Sequence, residues 1–118
     1  MASSIISNVM NGIVYSADNH TNWRVRKWGV MCILEWWSPG FTLSSDGYTV
    51  EGTIAEGFRP YNNLKMDTKV YDGSSYVDCV VVVSTSGVIT IRNLTGGVIS
   101  GIQLQYLQQT VFIYYTVH

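Results

Sequence analysis

The sequence predicts an all-β fold, an antiparallel β-sandwich or jelly-roll-like barrel of about eight strands. Three observations lead to this prediction. Short runs rich in Val, Ile, Thr, Tyr and Trp recur along the chain. Gly, Asn, Asp and Ser separate these runs at intervals of about 8–12 residues. Helical periodicity is nearly absent, and the one candidate for a short turn or helix lies at 4–10, inside an N-terminal lead-in of residues 1–12.

The candidate strands follow from alternation and from the turn residues that end each run. Their ranges are 13–15, 23–28, 30–37, 41–43, 48–54, 65–71, 76–84, 88–92, 98–104 and 111–117. Turns are predicted at Asn11-Gly12, in a polar loop over 18–22 and at 85–87, where the clearest hairpin reverses.

Two segments carry further expectations. Residues 30–37 are almost continuously apolar, so this strand should be buried on both faces, by the core and by a neighbouring subunit. The bend at 56–60 contains Gly57, which permits an unusual φ, and Pro60, which excludes a central strand. Arg59 should then bond turn carbonyls or a carboxylate.

Composition limits the class of protein. The 118 residues are predicted to form one domain, 1–118, that needs no disulfide or metal. Charged residues make up 13%, against about 25% in typical domains, which favours an oligomer with covered surfaces. Seven dispersed cations argue against nucleic acid. No apolar run is long enough for membrane insertion, and the N-terminus lacks the pattern of a signal peptide.

The residues for catalysis or metal binding are missing from the sequence, which predicts a protein that is not an enzyme and has no cofactor. His20 and His118 are the only histidines, and no nucleophile motif or zinc spacing accompanies them. Most of the eight acids lie in turns beside Gly, whereas Glu35 is flanked by Leu34 and Trp36, and we expect it at the surface or paired with an arginine. Cys32 and Cys79 lie in apolar runs and should be buried free thiols, with a disulfide between neighbouring strands as the alternative.

Aromatic residues are the most informative surplus, with four Trp and eight Tyr. Trp36 and Trp37 are adjacent in a strand, so at most one can join the same core. The other is a candidate for a subunit contact, a ligand site or a surface position. Turn tyrosines beside amides and acids provide a second candidate for a saccharide-binding rim. The candidate ligand-binding residues are Trp36, Trp37, Tyr61, Asn62, Tyr71, Asp72 and Tyr76.

One segment resembles a known family. Residues 52–60, Gly-Thr-Ile-Ala-Glu-Gly-Phe-Arg-Pro, are similar to the "G-x-[IL]-P-x-G-[FY]-R-P" segment near the C-terminus of phage tail-fibre, minor tail and baseplate proteins. Ala55 stands where that family often has Pro. Residues 29–33 resemble its preceding "G-x-V-x-[LV]" strand, and 81–91 resemble its following hairpin. A final aromatic strand at 112–116 completes a resemblance that extends from about Trp23 to the end.

The resemblance implies a receptor-binding head domain of a phage tail, assembled in the bacterial cytoplasm and carried on the virion. It implies a homotrimer that attaches to host-surface saccharide and contacts other tail or baseplate proteins. Three alternatives remain open: a purely structural baseplate or fibre-tip component, a stand-alone carbohydrate-binding module, and a tail-associated glycan hydrolase. The last needs two carboxylates about 5 to 9.5 Å apart in a groove.

Overall fold

The computed structural model of the protein describes residues 4–10, 13–36, 43, 46–71, 74–94 and 110–116. Within these ranges the chain forms nine strands and no helix, which confirms the predicted all-β class. The strands are β1 Ser4–Met10, β2 Ile13–Asn19, β3 Trp23–Trp28, β4 Met31–Trp36, β5 Tyr48–Thr49, β6 Leu64–Tyr71, β7 Tyr76–Val83, β8 Ile89–Asn93 and β9 Val111–Tyr115. The described part of the chain contains no helix that could cross a membrane.

The strands form two antiparallel sheets in a sandwich-like arrangement. The five-stranded sheet has the order β1-β2-β3-β4-β9, and the four-stranded sheet has the order β5-β8-β7-β6. Strands β1 to β4 follow one another as hairpins, because each pairs with its sequence neighbour. Strand β9 comes from the other end of the chain and pairs with β4, so it is the outermost described strand on that side of the sheet.

The core lies between the two sheets and takes alternate residues from β3, β4, β7, β8 and β9. On β3 and β4 the buried apolar residues are Trp23, Val25, Cys32, Leu34 and Trp36, while the residues between them are only partly buried. This period of two is the consequence of strand geometry, in which successive side chains point to opposite faces. The other core residues are Leu43, Val50, Ile54, Phe58, Val70, Cys79, Val81, Val83, Ile89, Ile91, Phe112 and Tyr114.

The hairpin predicted from residues 76–92 is confirmed. β7 and β8 pair from Cys79 opposite Asn93 to Val83 opposite Ile89. The turn closes with hydrogen bonds from the Ser84 amide to the Val88 carbonyl and from the Gly87 amide to the Ser84 carbonyl, at 3.0 and 2.9 Å. A side-chain Cβ at Gly87 would lie 2.6 Å from the carbonyl oxygen of Ile54, so the turn packs too closely on the neighbouring loop for any larger residue.

The predicted turn or helix at the N-terminus is wrong. Residues Ser4–Met10 form β1 and pair along their whole length with β2, from Ser4 opposite Asn19 to Met10 opposite Ile13. The local pattern of seven residues was a weak signal, and long-range strand pairing determines the structure instead. The polar loop predicted at 18–22 is also shorter than expected, because β2 continues through Asp18 to Asn19.

Of the strand predicted at 48–54, only the two residues Tyr48–Thr49 form a strand, β5. Gly52 has a φ of 95°, and the chain leaves the β8 ladder before it, although Val50 and Ile54 still enter the core. The predicted turn at Asn11-Gly12 and the predicted strand at 98–104 lie outside the described residues. The predicted strand at 41–43 lies there too, except for its buried last residue, Leu43.

Candidate functional site

The predicted ligand residue Trp36 belongs to the core, which corrects its assignment to a binding site. Its side chain lies among Leu34, Phe112 and the β7–β8 hairpin, beside a void of about 10 Å³. A water molecule needs roughly that volume or more, so a sugar ring cannot enter. Trp37 and Asp72 lie outside the described residues.

The remaining predicted residues divide between two distant places. Tyr61 and Asn62 are exposed just before β6 begins, and Tyr71 and Tyr76 are at the far end of β6 and the start of β7. β6 has eight residues, which at about 3.3 Å per residue separates the two places by more than 20 Å. Within one chain the two places therefore do not lie together in one saccharide-binding rim.

Tyr71 and Tyr76 do form a pair at the end of the β6–β7 hairpin. They are opposite one another in the register, with ring centroids 5.3 Å apart and an interplanar angle of 54°. Behind them the Nζ atom of Lys69 forms an exposed ion pair with Asp78 at 2.5 Å. The tyrosine pair therefore offers one aromatic surface, beside the mutually paired charges of Lys69 and Asp78 on the same face.

Tyr61 lies at the edge of the five-stranded sheet. Its side chain is 65% exposed, and its amide donates to the carbonyl of Tyr115 at 3.1 Å. Tyr115 is also exposed and ends β9. The Tyr61 turn therefore borders the outer face of this sheet, the face turned away from the core.

The register arranges this outer face into three rows that cross β2, β3, β4 and β9. The first row is Tyr15, Trp28, Met31 and Tyr115; the second is Ala17, Arg26, Ile33 and Ile113; the third is Asn19, Arg24, Glu35 and Val111. Aromatic and charged side chains concentrate on β2 and β3, and apolar side chains on β4 and β9. The exceptions are Glu35, which lies on β4 opposite Arg24, and Tyr115, which lies on β9.

The polar half contains a group of five residues that we call the arginine–aromatic cluster: Tyr15, Arg24, Arg26, Trp28 and Glu35. The rings of Tyr15 and Trp28 are 4.9 Å apart and inclined at 45°. The guanidinium carbon of Arg26 lies 5.0 Å from the centre of the Trp28 ring, within the range of a cation–π interaction.

Glu35 holds both arginines of the cluster. Its Oε1 atom is 2.7 Å from Nε of Arg24 and 2.6 Å from Nε of Arg26, and its Oε2 accepts from Nη2 of Arg26 at 3.1 Å. Burial acts to raise the pKa of Glu35, but the two guanidiniums outweigh it and lower that pKa below the usual range. The hydrogen bond to Glu35 raises the pKa of Arg24. The expectation that Glu35 pairs with an arginine is confirmed, and a carboxylate held ionised in this way is unsuited to act as a general acid.

The other half of the face is an apolar strip, which we define as Met31, Ile33, Val111, Ile113 and Tyr115. The three β9 residues are exposed, Ile113 by 59%, and the two β4 residues are partly exposed. Strand 30–37 was expected to be buried on both faces, and within one chain only its inner face is buried.

The family-like bend, residues 52–60, is held by contacts to both sheets. Its Ala55 amide donates to Oδ2 of the fully buried Asp18 at 2.8 Å, and Arg59 Nε donates to the Ile54 carbonyl at 2.8 Å. Gly57 has a φ of 92°, and Pro60 lies outside every described strand. The predicted roles of Gly57, Arg59 and Pro60 are confirmed, and they are structural.

Phe58, in the same bend, anchors it to the five-stranded sheet. Its ring is buried, and its carbonyl accepts from the Tyr114 hydroxyl at 2.5 Å. The thiol of Cys32 lies 3.8 Å from the same carbonyl. On the exposed side, Lys27 Nζ donates to the Gly57 carbonyl at 2.6 Å.

His20 belongs to the same buried network. Its Nε2 lies 3.0 Å from Oδ2 of Asp18, and its ring stacks on Trp23 with centroids 3.7 Å apart. The Trp23 indole donates to the Glu51 carbonyl at 3.0 Å. The carboxylate therefore fixes the ring and the bend inside the protein, where both side chains are shielded from solvent.

Both cysteines are buried free thiols, as predicted. Burial raises the pKa of Cys32 and of Cys79 to about 11, so neither is a reactive thiolate at neutral pH. Across the described residues, no group of three or more His, Cys, Asp and Glu side chains is placed to hold a metal ion.

The arginine–aromatic cluster was not predicted from the sequence. The signal was present in the alternation of β3, which places Arg24, Arg26 and Trp28 on one face. What the sequence could not supply was the register that brings Tyr15 and Glu35 to the same face from two other strands.

Comparison of the chain with protein-family models, with curated proteins and with solved structures finds no match.

Proposed function

We propose that the protein is a non-enzymatic adhesion domain at the tip of a phage tail, which binds host-surface saccharide as a homotrimer. The observation that carries the binding function is the open outer face of the five-stranded sheet. There an arginine–aromatic cluster lies beside an apolar strip, on residues that contribute nothing to the core. Aromatic rings beside fixed polar groups are the usual composition of a saccharide site.

The proposed location of the protein in a virion is based on the resemblance of residues 52–60 and the following hairpin to phage tail proteins. In this chain the bend is a structural element, tied to Asp18 and to the Phe58 contacts. Such a bend would be retained for the fold while the exposed surface changes with the host. The same proposal includes contacts with other tail or baseplate proteins, and assembly in the cytoplasm of the bacterial host.

The apolar strip supports the proposed trimer. Val111, Ile113 and Tyr115 expose three apolar side chains in a row on an outermost described strand. Together with Met31 and Ile33 they form a contiguous patch, and such patches commonly mark protein interfaces. A neighbouring copy packed on the strip would also bury the outer face of the strand at 30–37, as expected from its apolar sequence.

The oligomer is tested by light scattering behind size exclusion at several dilutions. We expect a mass near three times 13.2 kDa for the unchanged chain. Ile113→Lys places a charge in the strip and should shift the mass to that of the monomer. Val88→Lys, at an exposed turn on the other sheet, is the matched control and should leave the trimer intact. A monomer that persists at high concentration overturns the trimer.

Saccharide binding is tested on a glycan array with the unchanged protein and with Trp28→Ala. We expect a restricted set of glycans to bind and Trp28→Ala to lose them, whereas Tyr76→Ala, at the separate tyrosine pair, retains them. The reverse pattern would move the site to the β6–β7 hairpin. Binding of no glycan at any concentration contradicts the adhesion function.

A structural tip component is the second candidate function, favoured by the apolar strip alone. It predicts a trimer that binds no glycan and loses assembly when Ile113 is replaced. A stand-alone carbohydrate-binding module predicts the opposite result, glycan binding by a monomer. The two experiments together therefore separate all three functions.

A further inference from the structure

We propose that the arginine–aromatic cluster selects saccharides that carry a carboxylate, such as those containing uronic acids. This inference rests on the proposed saccharide-binding function and adds the chemical class of the ligand. The site is composed of Arg24 and Arg26 as anion-binding groups, Tyr15 and Trp28 as the aromatic wall, and Glu35 as the group that positions both arginines.

The charge balance of the cluster favours an anion. Among the described residues of this face, two guanidiniums share one carboxylate, which leaves one surplus positive charge in a chain whose formal net charge is −1. Ala17 and Asn19, which lie beside the arginines on β2, add no charge of either sign. Guanidinium groups pair with carboxylates through charge-assisted hydrogen bonds, which are about twice as strong as neutral ones.

The arginines are positioned before any ligand arrives. Arg26 is held by a hydrogen bond from Nη2 to Glu35, by the ion-pair contact between its Nε and the same carboxylate, and by the Trp28 ring. Arg24 is held by a hydrogen bond from its Nε to Oε1 of Glu35. Groups that are already ordered lose less conformational entropy on binding. Their side chains remain 38% and 29% exposed for Arg24 and Arg26, so an anion can reach them from solvent.

The aromatic wall is placed to contact the sugar ring itself. Tyr15 and Trp28 are partly exposed and belong to the first row of the face. The second row, which contains Arg26, is next to it along the strands. A pyranose ring packed against this wall would direct an acidic substituent along β3 toward the two arginines. The cluster therefore combines apolar ring contact with recognition of one negative charge.

A polynucleotide is the other anionic ligand that aromatic and arginine side chains can bind. Its affinity depends on many phosphate contacts, each contributing through counterion release. The cluster offers one surplus charge, and the basic residues elsewhere include Lys27 bonded to the Gly57 carbonyl and Lys69 paired with Asp78. The observations favour a saccharide with isolated carboxylates.

The test compares an oligosaccharide of glucuronic acid with its carboxyl-reduced, neutral counterpart by isothermal titration calorimetry. We expect the acidic form to bind about tenfold more tightly, with a preference that shrinks as salt is added. Arg24→Gln should remove most of that preference. Lys69→Gln removes the same charge from the other sheet and should leave it unchanged.

Glu35→Gln separates ligand recognition from a merely structural role. It removes the charge that neutralises one arginine, so binding of the acidic form should strengthen relative to the neutral form. If the cluster only stabilised the fold, neither Glu35→Gln nor Arg24→Gln would change the ratio between the affinities for the acidic and the neutral oligosaccharide. Circular dichroism of each variant establishes that the sheet fold is retained.

The outcomes distinguish the inference from the function on which it rests. Equal binding of both oligosaccharides, insensitive to Arg24→Gln, overturns the inference and leaves saccharide binding intact. Failure of both probes together with an empty glycan array overturns the proposed function as well. Tighter binding of a single-stranded oligonucleotide than of either sugar, lost in Arg24→Gln, assigns the cluster to nucleic acid and overturns the inference.

Discussion

The two faces of the five-stranded sheet are formed by alternate residues of the same strands, yet they use polar groups in different ways. On the inner face, Asp18 is fully buried and bonds to a backbone amide of the bend and to His20. On the outer face, Glu35 is 20% exposed and bonds to two arginine side chains. The partners differ in kind: Oδ2 of Asp18 meets a backbone amide and an imidazole, whereas both oxygens of Glu35 meet guanidinium groups.

The difference indicates which residues serve the fold and which are available for binding. Replacing a buried carboxylate that accepts a hydrogen bond from a loop amide should disrupt the loop, because the amide is then buried without a partner and this costs stability. A carboxylate between exposed side chains contributes little to stability and can be altered together with them. Variants that compare the two faces therefore test the assignment of function to the outer face.

The largest effect is expected from the two tryptophans of β3. Trp23→Ala removes a buried indole that stacks on His20 and bonds to the Glu51 carbonyl, so it should lower the free energy of unfolding by about 3–5 kcal/mol. Trp28→Ala removes a partly exposed indole of the outer face and should cost about 1 kcal/mol. Urea unfolding followed by circular dichroism measures both. Equal losses would contradict the division between the faces.

A second comparison replaces two aspartates. Asp18→Ala leaves the Ala55 amide and the buried His20 ring without their acceptor, and should cost about 2–4 kcal/mol. Asp78→Ala breaks an exposed ion pair with Lys69 and should change stability by less than about 0.5 kcal/mol. Thermal unfolding of the two variants is the measurement, and a small loss for Asp18→Ala would show that the bend does not depend on this carboxylate.

Much of the inner face could be predicted from the sequence. Alternation identified the strand at 23–28, and the hairpin around 85–87 was found from its turn residues. The buried thiols and the bend at 56–60 followed from residue type, since Gly57 and Pro60 restrict the backbone in known ways. These features depend on neighbours in the sequence or on burial alone.

The composition of the outer face could not be predicted, because it depends on the register between strands, and alternation within one strand does not determine that register. Tyr15 and Glu35 meet the arginines of β3 only because β2 and β4 pair with it at particular offsets. Trp36 was expected at a binding site, but side chains alternate between the faces of β4, and Trp36 is on the face that packs in the core. For β1, pairing with β2 determined a strand where the local pattern predicted a turn or helix.

The adjacent tyrosines of β9 provide a smaller test of the same comparison. Tyr114 points inward, its hydroxyl donates to the Phe58 carbonyl, and burial raises its pKa. Tyr114→Phe should therefore cost about 1–2 kcal/mol, because a buried carbonyl loses its hydroxyl partner. Tyr115→Phe, on the exposed side, should have no measurable effect on chemical unfolding of the monomer. Destabilisation by Tyr115→Phe alone would reverse the assigned faces.

Apart from the exposed control positions, the smallest effect on stability is expected at Glu35, and it should depend on pH. The pKa of Glu35 is lowered in the folded protein, because contacts with Arg24 and Arg26 outweigh burial. The carboxylate therefore stabilises the fold above the ordinary glutamate pKa of about 4.3, and this contribution is lost as pH falls through the lowered folded value. Glu35→Gln should cost less than about 1 kcal/mol at pH 7, since the arginines remain partly exposed.

Chemical unfolding of wild type and Glu35→Gln from pH 7 to pH 3 measures this dependence. The difference between the two proteins should be constant near neutrality and shrink below about pH 4.3. A difference that grew on acidification would mean that the folded pKa of Glu35 is raised, and that the arginines do not hold its charge. The surplus positive charge assigned to the outer face depends on that pairing, so the pH profile tests the basis of anion recognition without any ligand.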